Sequence, residues 1–563
     1  MKSIILKFSF ALAVVAALVN VSSAKPANGP DWLSDAVFYQ LYPSSYKDSD
    51  GDGKGDLKGI IDKLDYIKSI GVNVVWINPV FVSGWTDGGY DVIDYYKVDP
   101  RFGTNSDLVA LFEAAHARGM RVVLDLVAGH TSIESPWFKQ SSEADPNLQY
   151  SHYYIWPDFK PESDNPWEYS KFVESDAPRA KYYVKNFYDT QPALNFGYAD
   201  PDPEHPWEEA VDDAGPMAVR RELQEIMRFW IGHGCDGFRV DMAHSLVKDD
   251  PDKKATMALW EELSAWYHSE FPECVLIAEW FNPTQSVNSG FDIDFFAHDG
   301  VYNYSSLFFN INRLNGKQVD TCYFDADGKG QLRTWYELYY PHYEATVGKG
   351  YASIPTSNHD CQRPAAGDRL DKEQLKVAMT FFLTMPGAPF IYYGDEIGMR
   401  FITGLASVEG SNTRAGSRTP MQWDSTPNAG FSTAPADEIY IPIDPDVNRP
   451  TVEGNEADPG SLLNYVRDLL ELRSGSAALG NDGGWEMVSD IDEPYPMVYR
   501  RYSVDEQYLV VINPSGKRVG VELPEYASYD VEPVFGSYKS VSCKKGRISI
   551  SGISAAVLRV SAN

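Results

Sequence analysis

The sequence predicts an α/β protein: a (β/α)₈ TIM barrel with an inserted subdomain after the third strand and a C-terminal β-sandwich domain. Short apolar runs alternate with helical patterns from Trp32 onward, which is typical of a parallel sheet wrapped by helices. Charged and polar residues follow several of these runs, and the chemistry of such barrels lies at the carboxyl ends of the strands. After about position 475, short alternating strands replace this pattern.

The elements of the barrel are assigned in chain order. Eight apolar runs are interpreted as its strands: residues 36–41, 73–77, 121–127, 237–241, 275–279, a segment near Asp292, 352–356 and 389–393. Amphipathic patterns predict helices over residues 58–69, 105–118 and 462–473. The barrel is therefore expected over residues 31–475. A β domain follows over residues 476–563, in which 508–512 and 547–550 are typical strands.

Two irregular stretches interrupt the alternation. Residues 131–191 are rich in Pro, Trp, Tyr and Ser and lack a helical period, which indicates a small subdomain after the third strand. A second irregular stretch covers residues 401–460. Both are expected to overhang the same face of the barrel, because both follow the carboxyl end of a strand.

The composition is that of an ordinary globular protein with a strong negative charge. The formal net charge is −31, from 49 basic and 80 acidic residues. Such a charge repels phosphate backbones and anionic lipid, so neither a nucleic acid nor a membrane is expected as a partner, and a neutral substrate fits better. The five cysteines are scattered and lack CxxC spacing, so neither a disulfide framework nor a cysteine zinc site is indicated.

The first 24 residues are typical of a signal peptide. Lys2 and Lys7 precede an apolar run over residues 8–19, and the small residues Ser22, Ser23 and Ala24 suit a cleavage site. A retained membrane anchor is the alternative, although the run is short for a membrane span. We therefore expect export, to the periplasm or the medium.

The stretch GFRVD, residues 237–241, predicts a charged pair at the end of the fourth strand. Side chains alternate along a strand, so Arg239 and Asp241 lie on one side while Phe238 and Val240 pack on the other. A guanidinium beside a carboxylic acid lowers its pKa, which suits a carboxylate nucleophile. A structural ion pair is the alternative for this motif taken alone.

A second acid follows the fifth strand. Glu279 comes after an apolar run and precedes Trp280, surroundings that are expected to raise its pKa and to suit a general acid. One ionised and one protonated carboxyl group, about 5 Å apart, is the arrangement of a retaining glycosidase. The seventh strand is followed by a third acid, Asp360, with His359 beside it.

Two further stretches offer groups for sugar hydroxyls. In residues 89–96 Tyr90 is a candidate ring platform and Asp91 a candidate acceptor, and His130 ends the third strand as a candidate donor. Each signal is weak by itself, because a single histidine at a strand end is more often structural.

An acidic loop after the first strand predicts a structural Ca²⁺ site. Carboxylates alternate with other residues over positions 48–56, and Gly53 stands at the turn, so that the loop can surround a hard cation. The loop departs from an EF-hand, and a solvated acidic turn is the alternative. The predicted metal-site residues are Asp48, Asp50, Asp52, Lys54 and Asp56.

Four motifs, in this order, resemble the conserved regions of the α-amylase family, glycoside hydrolase family thirteen: DLVAGH, GFRVDMAH, LIAEW and SNHD. The likeness extends over residues 32–473. It implies that Asp241 is the nucleophile, Glu279 the general acid/base and Asp360 the stabiliser of the transition state. It also implies that the insertion and the tail correspond to the B domain and the C-terminal β domain of that family.

The resemblance extends to residues that would hold the sugar. It implies that Arg239, His130 and His359 line the subsite where the sugar is attacked, with Tyr90 stacking beneath it. Within the family, the α-glucosidase, oligo-1,6-glucosidase and trehalose synthase group is the most similar, on the stretches GYDVIDYYKVDPRFGT, DSDGDGKGDLKGI and RTPMQW. This likeness implies that Asp91 and Arg414 pair at the non-reducing end of the substrate and favour exo-attack.

The chain also departs from that group. Ala193 stands in QPALN where the group usually has Asp, Gly129 precedes His130 where Asn is usual, and Met242 follows the nucleophile where a smaller residue is usual. The linkage preference is therefore left open. The function predicted is an exported retaining α-glucosidase acting on malto- or isomalto-oligosaccharides. The alternatives are a transglycosylase or isomerase of the trehalose synthase type, an endo-acting amylase, and a non-catalytic sugar-binding protein.

Overall fold

The computed structural model describes residues 29–161, 170–296, 304–312, 315–319, 322–537 and 539–562. The predicted signal peptide lies outside these residues. Eight parallel strands form one sheet in the order seven, six, five, four, three, two, one, eight. In chain order they are Phe38–Leu41, Val74–Ile77, Arg121–Val127, Gly237–Asp241, Val275–Ala278, Ile293–Phe295, Tyr351–Ser353 and Phe390–Tyr392.

Strands seven and eight close the sheet without forming a full ladder. The backbone N–H of Thr356 donates to the carbonyl of Phe390 at 2.9 Å, and the Thr356 hydroxyl accepts from the N–H of Tyr392 at 3.0 Å. The predicted seventh strand, 352–356, therefore lies one to three residues beyond the observed strand, because Thr356 uses its side chain where a ladder would use its backbone. The predicted (β/α)₈ barrel is confirmed.

Helices surround the barrel. Their bounds are Leu57–Ile70, Asn105–His116, Pro136–Ser141, Ala214–Gly232, Lys254–Glu270, Pro283–Asn288, Tyr304–Phe308, Arg333–Thr346, Lys372–Thr384, Val452–Ala457 and Leu462–Ser474. The first two begin at side-chain caps, since Asp56 accepts from Gly59 N–H and Thr104 from Asp107 N–H. The helices predicted at 58–69, 105–118 and 462–473 agree with the observed bounds to within two residues.

The core has two layers because strand residues alternate in direction. Phe38, Trp76, Ile277 and similar side chains fill the barrel interior, whereas residues such as Phe238 and Val240 pack outward in the layer shared with the helices. At the carboxyl ends of the strands, the inward positions carry polar side chains instead. This change from apolar to polar side chains inside the barrel marks the position of the candidate site.

The irregular region after the third strand is longer than the predicted insertion. It extends from position 128 to 213, and its described part contains the helix Pro136–Ser141 and a hairpin of Phe172–Glu174 with Tyr182–Val184. Its return segment pairs with the barrel, because His130 and Ala193 form an antiparallel bridge. The insertion is thereby tied to the end of the third strand.

Two antiparallel sheets follow the barrel. One has five strands, Gly484–Met487, Met497–Tyr502, Gln507–Asn513, Ser554–Ala562 and Tyr529–Gly536, and the other has three, Val519–Glu522, Arg547–Ile550 and Val541–Lys544. Val498, Leu509, Ile548 and Ile550 share one apolar cluster between the sheets, as in a β-sandwich. The other face of the larger sheet joins the core of the barrel helices.

Two observations concern the described residues as a whole. No helix among them is long and apolar enough to cross a membrane. No disulfide joins any of the five cysteines, four of which are buried.

Candidate active site

Arg239 joins three carboxylates at the carboxyl ends of strands three, four and five. Its guanidinium lies 2.7 Å from Asp125 Oδ1, 3.1 Å from Asp241 Oδ1 and 2.8 Å from Glu279 Oε1. The strand register causes this meeting, since Asp125 and Arg239 are direct partners across the sheet. The guanidinium is 3% exposed, so these charges interact in a region that water screens weakly.

Glu279 has a polar partner at each carboxylate oxygen. Oε1 binds Arg239, and Oε2 accepts the backbone N–H of Met242 at 2.8 Å. Met242 has a φ of 42°, in the left-handed region that long side chains rarely adopt. Both oxygens of Glu279 therefore face donors, and the indole N–H of the adjacent Trp280 donates to Gln285; the expected desolvation of Glu279 stays a prediction.

Asp241 is more basic than predicted. Burial raises the pKa of Asp241 well above its usual value, the neighbouring charge of Glu279 raises it further, and Arg239 does not offset these two effects. Arg239 lowers this pKa as expected, but burial and the charge of Glu279 outweigh it, because one guanidinium is shared among three acids.

Asp125 is a site residue that the sequence analysis did not single out. It is buried, and its Oδ2 accepts the Tyr90 hydroxyl at 2.9 Å while Oδ1 binds Arg239. Burial raises the pKa of Asp125 to about 6. Asp125 is a charged residue within the apolar strand of the DLVAGH motif, and this placement could have identified it as a site residue from the sequence.

Asp360 lies among cations on the opposite side of the cleft. Its Oδ1 accepts from Arg414 and from Arg418, each at 2.8 Å, and its Oδ2 lies 3.5 Å from His359 Nε2. Burial opposes ionisation, but Arg414, His359 and Arg418 outweigh it and hold the pKa of Asp360 well below its usual range. Asp360 is therefore anionic at neutral pH.

His359 presents one N–H toward the cleft. Its Nδ1 accepts from the Gln40 amide at 2.9 Å, and burial holds its pKa well below the usual value, so the ring is neutral with its proton on Nε2. The ring stacks on Tyr90 with a centroid distance of 5.3 Å and an angle of 8°. His359, Tyr90 and Asp360 thus form one wall, as the sequence analysis expected for a sugar subsite.

His130 lies in the site but has no free ring nitrogen. Its Nε2 is 3.0 Å from the carbonyl of Tyr90, and its Nδ1 is 3.1 Å from the amide nitrogen of Asn186. Burial lowers the pKa of His130 to about 4, so the ring is neutral. The expected role as a donor to a sugar hydroxyl requires Nε2 to exchange partners, because a protein carbonyl occupies it here.

Arg414 pairs with Asp87 and not with Asp91. The Arg414 guanidinium lies 2.9 Å from Asp87 Oδ1. Asp91 is fully buried and accepts from Ser83 Oγ at 2.9 Å and from Thr86 Oγ1 at 2.7 Å. Asp91 therefore shapes the loop that presents Asp87, and the predicted pairing of Asp91 with Arg414 is wrong.

The insertion completes the wall around Arg414. The Gln191 amide donates to Asp87 Oδ2 at 3.0 Å, and the Tyr188 hydroxyl lies 3.4 Å from Arg414. Asp87 and Arg414 are 327 residues apart, and residues of the subdomain link both. The result is a cleft closed on one side by an ion pair.

The acidic loop after the first strand brings three of its carboxylates together. Oxygens of Asp48, Asp50 and Asp56 lie within 4.8 Å of one another. Burial and the neighbouring charges of Asp52, Asp48 and Asp56 raise the pKa of Asp50, against one backbone hydrogen bond that lowers it. Asp52 lies outside this cluster, so this structure does not support it as a ligand. The donor set of carboxylate oxygens is the kind that Ca²⁺ prefers.

Comparisons with known proteins agree on one family. A family model described as the alpha amylase catalytic domain matches residues 40–482. An oligo-1,6-glucosidase from Parageobacillus thermoglucosidasius is 33% identical over 549 residues, covering 88% of this chain and 93% of that protein. A trehalose synthase/amylase from Mycobacterium tuberculosis is 31% identical over 493 residues, covering 80% of this chain and 76% of that protein.

A solved structure shows the same architecture. An isomaltulose synthase from Erwinia rhapontici NX5, solved with D-glucose, superposes with a TM-score of 0.78 at 25% identity, covering 95% of this chain and all of that chain. The family match spans most of the chain, and the relatives are aligned over most of their own lengths. This chain is therefore a glycoside hydrolase and belongs to the α-amylase family, glycoside hydrolase family thirteen.

Proposed function

We propose that the protein is an exported, retaining α-glucosidase that removes glucose units from malto- or isomalto-oligosaccharides. The carrying observation is that Asp241 and Glu279 bind the same guanidinium, at 3.1 and 2.8 Å. An inverting enzyme needs its two carboxyl groups about 6.5 to 9.5 Å apart to seat a water, whereas a retaining enzyme needs about 5 Å. Acids this close favour direct attack on the sugar.

The mechanism uses one proton between the two acids. In the free enzyme the raised pKa of Asp241 favours a proton on that group, and Glu279, bound to the same guanidinium, is the nearby acceptor for it. When the sugar binds, Glu279 holds the proton and gives it to the leaving oxygen, and anionic Asp241 attacks the anomeric carbon. Water, deprotonated by Glu279, then breaks the bond from Asp241 to the sugar, so the α configuration is kept.

Asp360 and its neighbours are assigned to holding the sugar. Its carboxylate stays anionic and faces the same cleft as the N–H of His359, so the two groups can accept from and donate to adjacent hydroxyls. Tyr90 lies behind His359 and offers a ring face. Arg239 keeps the two reacting acids in place.

Exo-attack is supported by the pair of Asp87 and Arg414. This ion pair and Tyr188 close one side of the cleft, which suits a pocket that accepts a chain end. An endo-acting amylase requires an open groove at both ends.

The alternative of transglycosylation or isomerisation is favoured by one observation: the reacting side chains of Asp241 and Glu279 are only 9% and 13% exposed, which limits the access of water.

Two further parts of the proposal concern calcium and export. We assign a structural Ca²⁺ to Asp48, Asp50 and Asp56, whose mutual repulsion a cation would relieve. Asp48 also accepts from Ser432 Oγ at 2.5 Å, so the ion would secure the loop to the second irregular stretch, away from the reacting acids. Export is proposed on the N-terminal sequence pattern alone.

Product analysis tests the function. The mature protein is incubated with maltose, isomaltose, sucrose, trehalose and soluble starch, and the products are resolved by size and anomer. We expect α-glucose from the disaccharides and only a slow loss of starch chain length. Release of the non-reducing-end glucose as the β anomer would refute retention. A rapid fall in chain length would indicate endo-attack, and new disaccharides as the main products would indicate isomerisation.

A further inference from the structure

Gly129, next to His130, has no backbone reason to be glycine. Its φ lies outside the left-handed region in which glycine is needed. A Cβ at this position would instead lie 2.8 Å from the amide nitrogen of Asn186 and 3.1 Å from Ser245 Oγ. The space beside His130 is therefore already filled, by a side chain that comes from the inserted subdomain.

Asn186 fills that space with a complete set of hydrogen bonds. Its amide nitrogen lies 3.1 Å from His130 Nδ1 and 3.1 Å from Ser245 Oγ, and its oxygen lies 3.3 Å from Lys248 Nζ. The same nitrogen is also 3.9 Å from the sulfur of Met242. One side chain of the subdomain thus touches the residue that follows Asp241 and a histidine of the site.

The neighbours determine which way the amide points. Ser245 Oγ donates to the carbonyl of Met242 at 2.8 Å, so it can only accept from Asn186. Neutral His130 donates through Nε2 to the carbonyl of Tyr90, so its Nδ1 also accepts. Lys248 can only donate, either to Asn186 or to the Ser245 carbonyl, which lies 2.8 Å away. These requirements fit Asn at position 186 and exclude Asp, which has no N–H donor.

We propose that Asn186 is a positioning residue of the active site, which occupies the space left open by Gly129 and fixes the ring of His130 and the turn at Met242. The turn matters because the backbone N–H of Met242 holds Glu279. Asn186 therefore acts on the general acid through Met242 and on the sugar subsite through His130. The inference rests on the proposed function for its link to catalysis.

The shared space is tested with a double-mutant cycle. Gly129→Ala, Asn186→Ala and the double variant are compared by thermal unfolding and by kcat/KM on maltose. We expect Gly129→Ala to lower both quantities in the native background, and to leave both unchanged or improved in the Asn186→Ala background. Gly232→Ala is the matched control for Gly129→Ala, because a Cβ there meets nothing within 4 Å. Additive effects of the two substitutions on Tm and on kcat/KM would show that Gly129 and Asn186 do not share one space and would overturn the proposal.

The donor role is tested with Asn186→Asp, which keeps the shape and removes both N–H donors. We expect about a 10-fold loss of kcat/KM, because small displacements of catalytic groups are costly. A carboxylate repels the lone pair of neutral Nδ1, whereas protonated His130 can donate from Nδ1 to that carboxylate, against the charge of Lys248, so the loss shrinks as the pH falls. Activity equal to the native protein at every pH would overturn the proposal.

The two hypotheses fail in different ways. A native protein without turnover on any α-glucoside would refute the proposed function, and the Tm cycle would still decide whether Gly129 and Asn186 share one space. A native protein that is active, with Asn186 variants equally active, would refute the positioning role alone.

Discussion

The backbone N–H of Met242 donates to Glu279 Oε2 at 2.8 Å, from a residue in the left-handed region. For a residue with a long side chain this conformation costs about 1 to 2 kcal/mol. The same turn places Met242 directly after Asp241, so the strained residue joins the two reacting acids. Local strain of this kind is stable only where surrounding contacts enforce it, and Ser245 and Asn186 supply such contacts here.

Replacing Asp241 by Asn separates activity from stability. We expect kcat on maltose to fall by at least about 10³-fold, because the nucleophile is lost. We also expect Tm at pH 7 to rise by roughly 2 °C or more, because Asn has no carboxyl group that must either take up a proton or hold a charge beside the other acids around Arg239. Calorimetry of both proteins measures the two Tm values. An unchanged or lower Tm in Asp241→Asn would contradict the inference that the carboxyl group of Asp241 destabilises the fold beside the other acids.

The stability difference should depend on pH in a defined direction. The pKa of Asp241 is raised in the folded state, so the stability linked to its protonation is fully present below the usual value of 3.8 and is lost as the pH rises through the folded pKa. Asn cannot ionise and does not undergo this loss. The Tm of Asp241→Asn minus that of the native protein should therefore be near zero around pH 4 and should increase toward pH 7.

The activity of the native enzyme should decline on the acid side at a pH clearly above 3.8. Asp241 must be anionic to attack, and burial together with the charge of Glu279 raises its pKa. Asp360 does not set this limit, because its pKa is held low. The profile of kcat/KM against pH measures the limit. In Glu279→Gln, assayed with an aryl glucoside whose leaving group needs no acid, the limit should move to lower pH.

The fold was largely predictable because buried parallel strands appear as apolar runs with charged ends. Residues 121–127 and 237–241 were assigned with their observed bounds, and each begins or ends at a polar residue that interrupts the run. Short strands were harder, as at Ile293–Phe295, since three residues carry little pattern. Two of the three acids were also predictable from their strands, since Asp241 ends one strand and Glu279 directly follows the next, whereas Asp360 lies in the loop after Ser353 and was found by its motif.

The pairings within the site were less predictable, because they depend on long-range packing. Asp87 meets Arg414 across 327 residues, and only the folded loop shows that Asp91 points inward while Asp87 faces the cleft. The direction of the pKa shift of Asp241 was missed for a related reason. Neighbouring strands bring Asp125 and Glu279 to the same guanidinium, and the single pair of Arg239 and Asp241 does not reveal this competition.

Asp87 and Asp91 should respond differently to mutation. Asp87→Ala removes a partner of Arg414 in the cleft, so we expect KM for maltose to rise about 10-fold or more with a small change in Tm. Asp91→Ala leaves the backbone N–H of Thr86 without its acceptor, so Tm should fall markedly. Equal effects of both variants on KM and Tm would contradict the assignment of Asp87 to the site and Asp91 to the loop.

Removal of calcium should lower stability more than activity. With the free ion at about 100 times its dissociation constant, binding contributes about 2.7 kcal/mol, so a chelator should lower Tm by several degrees. Asp50→Asn should reduce the response to added Ca²⁺, whereas the exposed Asp52→Asn should keep it. A Tm that is the same with chelator and with Ca²⁺ would contradict the site.

Glu409 should control the loop that carries Arg414. Its carboxylate binds Arg101 at 2.8 and 3.0 Å and accepts the Tyr440 hydroxyl at 2.7 Å, while its own φ is 47°. The next residue, Gly410, accepts from Arg414 through its carbonyl at 3.0 Å. Glu409→Gln leaves Arg101 without an anionic partner, which costs about 1 to 3 kcal/mol in a half-buried pair. We expect a lower Tm and a higher KM for maltose with a smaller change in kcat, because Arg414 is displaced while Asp241 and Glu279 stay in place. Arg101→Lys, which keeps the charge, should show a weaker form of both effects. A variant with lower Tm but unchanged KM would show that the loop does not position Arg414.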